Sequence, residues 1–105
     1  MKLFTKEILK KLPKLYATED TPEDEKKIPL KLFNPMGKQT WYIVEYDPVD
    51  RLAFGYVTGM LEDEFGYVSM DEIESITLPL GMKIERDLHW NMNNTIGEVK
   101  NKKVS

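Results

Sequence analysis

Residues Gln39 to Thr58 constrain this chain more than any other stretch. Trp41-Tyr42-Ile43-Val44-Glu45-Tyr46 and Arg51-Leu52-Ala53-Phe54-Gly55-Tyr56-Val57-Thr58 are two runs rich in β-branched and aromatic residues, parted by Asp47-Pro48-Val49-Asp50. Asp followed by Pro matches the opening of a type I turn, so the runs should close into an antiparallel hairpin. Pairing Tyr46 with Arg51 sets Ile43 opposite Phe54 and Trp41 opposite Tyr56 on one face. On the other face Val44 meets Ala53, and Tyr42 lies across Gly55. Both faces are then apolar, whereas a sheet with one wet face alternates with polar residues. Helices, the chain ends or another molecule must cover each side, which makes Tyr42 and Val44 candidate contacts for a partner protein or a second copy.

Around this hairpin the remaining segments are shorter. Thr5 can cap a helix over Lys6 to Leu12, with Ile8, Leu9 and Leu12 on its apolar side and Pro13 as its stop. Residues 17–27 carry no large apolar side chain and read as an acidic loop. Ile28 to Phe33 suits a strand near a sheet edge, because Pro29 cannot donate a ladder hydrogen bond. Phe65-Gly66-Tyr67-Val68 reads as a third antiparallel strand running into a helix that starts at Met70. There Ser69 and Glu72 have the spacing of a capping box, and Val68 and Ile73 that of a hydrophobic staple. Met82 to Trp90 alternates again, as a strand would, and residues 97–105 read as a mobile Lys-rich tail. The fold class expected is α+β: a single domain over residues 1–105, with an antiparallel sheet of four or five strands and two short helices.

Charge narrows the function classes. The chain of 105 residues carries a net charge of −3. Its basic residues gather at the two ends, while 61–87 holds eight acids against Lys83 and Arg86. A nucleic-acid module shows a basic stripe across its folded surface, so DNA or RNA binding is disfavoured. With no Lys or Arg from Trp41 to Tyr46, the aromatics there read as core rather than as a base-stacking platform. Cysteine is absent, which excludes disulfides and thiolate chemistry and suits a reducing, cytoplasmic setting. No apolar run approaches the roughly 20 residues that cross a bilayer, so no membrane role is expected. Lys6, Lys10 and Lys11 interrupt any signal-peptide core.

Few residues carry recognisable chemistry. Glu85, Asp87 and His89 recur every second position, which on a strand aims two carboxylates and an imidazole the same way. Such a set could ligate a divalent metal or act as an acid–base group; it is equally the wet face of an outer strand whose dry face is Ile84, Leu88 and Trp90. Arg86 falls on that dry side and needs a carboxylate, an aromatic ring or the sheet margin. Ser69 and Ser75 sit in the second helix and its cap, so His89 has no nucleophile elbow beside it, and no glycine-rich phosphate loop exists. No cofactor is called for.

Five motifs, in order, resemble a known family. Leu12-Pro13-x-Leu15-Tyr16, Trp41-Tyr42-x-x-Glu45-Tyr46-Asp47-Pro48, Phe54-Gly55-x-Val57-x-Gly59, Gly66-Tyr67-x-Ser69 and Leu80-Gly81-x-x-Ile84-Glu85-Arg86-Asp87-Leu88 are similar to those of small bacterial proteins catalogued only as a domain of unknown function. The resemblance spans about residues 3–90. It implies a plasmid, conjugative-element or phage context, and by association a role in transfer, establishment or evasion of host defence. It carries no activity to any position.

Two functional readings follow. The first is a non-catalytic interaction module that binds another protein or itself, through the second hairpin face, the acidic run Glu62-Asp63-Glu64, or Arg86. The second is a small metal-dependent enzyme centred on Glu85, Asp87 and His89.

Overall fold

The computed structural model describes residues 2–105. In chain order the elements are α1 (Lys6–Lys11), β1 (Leu30–Phe33), β2 (Thr40–Asp47), β3 (Leu52–Thr58), β4 (Glu64–Ser69), α2 (Met70–Ser75), β5 (Glu85–Arg86) and α3 (Ile96–Lys100), with single 3₁₀ turns at Glu23–Glu25 and Pro79–Gly81. The five strands form one antiparallel sheet in the order β4-β3-β2-β1-β5. Fold class is α+β, as the sequence implies, with three short helices rather than two.

The helices form where the local chemistry directs. Thr5 accepts from the Ile8 amide at 3.1 Å and caps α1, which ends at the residue before Leu12 and Pro13. Ser69 accepts from the Glu72 amide at 3.2 Å and caps α2. Glu72 does not reach back to the Ser69 amide, so this capping box is half made and its carboxylate stays at the surface. The complete capping box belongs to α3: the Thr95 amide donates to Glu98 Oε1 at 2.9 Å, and the Glu98 amide to Thr95 Oγ1 at 3.3 Å. Residues 97–100, expected to be tail, therefore lie inside a helix.

The hairpin forms, but its register differs from the expected one. Asp47 opposes Leu52 and Tyr46 opposes Ala53, because the connection runs over residues 48–51 and Arg51 takes a left-handed φ of 52°. Asp47 Oδ1 accepts from the Val49 amide at 2.9 Å, an Asx turn that starts the reversal. A register shift between Ile43 and Glu45 then marks a β-bulge with Val44 as the extra residue; beyond it Ile43 opposes Gly55 and Tyr42 opposes Tyr56. Gly55 is required here, since a Cβ would stand 2.4 Å from the Tyr42 carbonyl oxygen.

Both hairpin faces are apolar and both are covered by this chain. On one side Leu32, Trp41, Ile43, Tyr46, Ala53 and Val68 pack with Ile8 of α1 and Met70 and Ile73 of α2. On the other, Val44 packs with Ile28 and Ile96, joined by the half-buried Tyr42, Phe54, Tyr56, Trp90 and Val99. Burying Ile96 of α3 completely contributes on the order of 2 kcal/mol. α3 is seated closely enough that a Cβ on Gly97 would meet the Asp24 carbonyl oxygen at 2.9 Å. Lys100 clasps the same turn from the other end, 2.7 Å from Glu23 and 3.0 Å from Asp24, and those two hydrogen bonds raise its pKa.

Two further expectations meet the strand order. β1 begins after Pro29 and lies near the edge, as expected, but the two-residue β5 pairs along its outer side through Leu32–Arg86 and Phe33–Glu85. The alternation read through Met82 to Trp90 is a strand only at Glu85–Arg86. Asp87 then opens a turn, its carboxylate accepting from the His89 amide and its carbonyl from the Trp90 amide.

Candidate interaction site

Each residue singled out in the sequence now has a place. Val44 is 1 % exposed and Tyr42 is half-buried, 5.7 Å from the Trp90 ring, with burial pushing the Tyr42 hydroxyl pKa up. The second hairpin face is thus closed by α3 and Trp90, and Val44 is out of reach of any partner. Arg86 donates to the Lys2 carbonyl at 2.6 Å, so it tethers the N-terminal segment to β5.

The strand that would have aligned Glu85, Asp87 and His89 ends before it does so. Asp87 is 3.2 Å from Lys31 Nζ, and His89 is exposed on the turn. Among the described residues no three His, Cys, Asp or Glu side chains come together to hold a metal ion. Alternation of residue types was a false signal because it cannot show where a strand stops.

One buried carboxylate went unnoticed. Glu45 is 4 % exposed; Oε1 accepts from the Tyr16 amide at 2.8 Å, and Oε2 accepts from the Thr18 amide at 2.9 Å and from the Thr18 hydroxyl. Lys26 Nζ donates to the Thr18 hydroxyl at 2.9 Å and to the Thr18 carbonyl. Burial alone would raise the Glu45 pKa, but the hydrogen bonds from Thr18 and Tyr16 and the charge of Lys26 together hold it below the ordinary value. With every oxygen engaged, Glu45 is a clip: it fixes residues 16–18, including Tyr16 at φ 70°, against β2.

Glu62, Asp63 and Glu64 are exposed, and they lie where the sheet is least finished. The sheet has two edges. One is β5, only two residues long. The other is β4, six residues in unbroken register with β3, without the Pro, Lys, Arg or bulge that commonly blunts an edge. Beside β4 opens a cleft of about 880 Å³. Val57, Val68, Ile73 and Ile76 contribute apolar walls, Glu62, Glu64 and Glu72 stand along it, and no Lys, Arg or His lines it. Leu61 is fully exposed at its mouth and Met60 half so. Across the strand Tyr67 is exposed too, its hydroxyl held above its ordinary pKa by a hydrogen bond with the exposed Tyr16. Apolar surface clustered at a strand edge that carries no Pro, Lys, Arg or bulge is unusual for a free surface, which makes this edge the candidate site.

Fold and site together define a class: an α+β protein built on one open antiparallel sheet, with an apolar, acid-rimmed cleft along its free edge. The chain belongs to the family described as Protein of unknown function (DUF2958), which matches residues 3–102. No curated protein and no solved structure matches it. No helix among the described residues is long and apolar enough to cross a membrane.

Proposed function

We propose that this chain is a non-catalytic interaction module that docks a partner protein along β4. The observation that carries this reading is the unpaired, regular edge of β4 beside a cleft whose walls are apolar and whose charges are all negative. Glu62, Glu64 and Glu72 supply the acidic rim, Leu61 and Met60 the apolar mouth, and Asp63 between the two rim glutamates accepts from the Gly59 amide. Tyr42, Val44 and Arg86 serve the fold. A cytoplasmic role in the transfer or host-evasion machinery of a mobile element, which the family resemblance implies, is compatible with such a module and belongs to the same proposal.

A site-specific test uses photocrosslinking in cells. A photoreactive residue in place of Leu61 should join one discrete protein partner. The same residue in place of Val49, exposed at the opposite end of β3, should not. Gly66→Val, which fills the cleft, should abolish capture at Leu61. Equal capture at both positions, or capture indifferent to Gly66→Val, contradicts docking at this edge.

A further inference from the structure

Resting on that docking reading, we infer that the occupant is an extended segment of another protein that adds to β4 as a sixth strand, with apolar side chains alternating with lysine or arginine. The backbone is poised for it. The Met70 amide donates to the Arg51 carbonyl at 2.9 Å, which makes Arg51 and Met70 a hydrogen-bonded antiparallel pair. Counting back along the register, Val68, Gly66 and Glu64 spend their amides and carbonyls on β3, while Phe65 and Tyr67 point theirs outward, and Ser69 only its amide, since its carbonyl opens α2. Two residues with outward donors and acceptors, and a third with an outward donor, give an incoming strand a ladder to complete.

Side chains on the two faces then dictate the partner's alternation. On the α2 side, Gly66 leaves a slot: a Cβ built there meets nothing within 4 Å, and Val57, Val68 and Ile73 surround the cleft it opens into. An added strand drops its apolar residues into that space. On the opposite side Phe54 and Phe65 floor a second hollow of about 440 Å³, rimmed by the carboxylates of Glu19 and Asp20 and by Glu23, itself already paired with Lys100, with Lys26 the one basic side chain lining it. Basic side chains of the added strand belong there, their stems over the rings and their charges against the carboxylates. A second copy of this chain fits poorly, because pairing β4 with β4 antiparallel brings Glu64 of each copy toward Ser69 and Glu72 of the other, acid against acid.

Selection from a display library of short random peptides on the immobilised protein, followed by titration of the enriched sequences, tests the inference. Enriched peptides should alternate apolar with Lys or Arg. Their affinity should fall steeply with added salt, and by about tenfold when Glu19→Gln, Asp20→Asn, Glu62→Gln and Glu64→Gln are combined. Tyr67→Pro deletes one outward amide without touching the β3 ladder, and should weaken binding by about tenfold relative to Tyr67→Ala, which deletes only the ring. Thermal melts confirm that each variant is folded. Peptides lost on Gly66→Val but lacking the alternation, or equally affected by Tyr67→Pro and Tyr67→Ala, overturn strand addition and leave the docking reading standing. No enrichment at all, or a dimer in light scattering that Tyr67→Pro dissociates, overturns the basic-peptide occupant; the first result also removes the docking reading.

Discussion

Glu45 shows what a single residue contributes that composition hides. Its carboxylate receives two backbone amides and a hydroxyl from residues almost thirty positions earlier, and so fixes the 16–18 segment to β2. Replacing it with Gln keeps the shape but removes the charge that strengthens those bonds, and should cost about 1–3 kcal/mol in urea unfolding. The pH dependence has a definite sign. The folded pKa is depressed, so the stabilisation is complete above the ordinary glutamate range and is lost as pH falls through the folded value. Glu45→Gln should therefore flatten the acid limb of the stability profile, and an unchanged limb would contradict the clip. The sequence motif contained this residue but gave no sign of its role, because its partners come from a loop that nothing local ties to β2. Arg51 was opaque for a related reason. Its left-handed turn moved the four-residue hairpin connection one position along the chain, to 48–51, and it is held by the carboxylates of α2: Nε lies 3.0 Å from Asp71 Oδ1, and Nη2 meets Glu74.

At the scale of elements, existence was legible and extent was not. Thr5, Pro13 and Ser69 punctuate α1 and α2 through short-range chemistry that a reader of residues can see. α3 carried an equally readable signal in Thr95-x-x-Glu98, obscured by Gly97 and the lysines around it. Its importance follows from what it covers. Ile96→Ala should lower stability by about 2–5 kcal/mol, because it opens a cavity against Val44 and Ile28 that backbone pairing on both flanks cannot collapse. Leu61→Ala, fully exposed, should stay within about 0.5 kcal/mol. Thermal unfolding of both variants measures the contrast; comparable losses would contradict the assignment of Leu61 to a binding surface and Ile96 to the core.

For the whole molecule, the two-sided apolar hairpin correctly demanded cover on each face, and the chain itself supplies it. That shifts the candidate site from the sheet's faces to its edge. Glu62-Asp63-Glu64 was visible as charge from the sequence. The open edge was not, since being an edge means lacking a neighbour, and only the strand order shows that. Hydrogen exchange of individual amides along β4 tests the account most directly. In the free protein the Gly66 and Val68 amides should exchange slowly, while those of Phe65 and Tyr67 exchange nearly as fast as unstructured chain. Uniform protection across Glu64–Ser69, or uniform loss of it, would contradict an open, correctly registered edge.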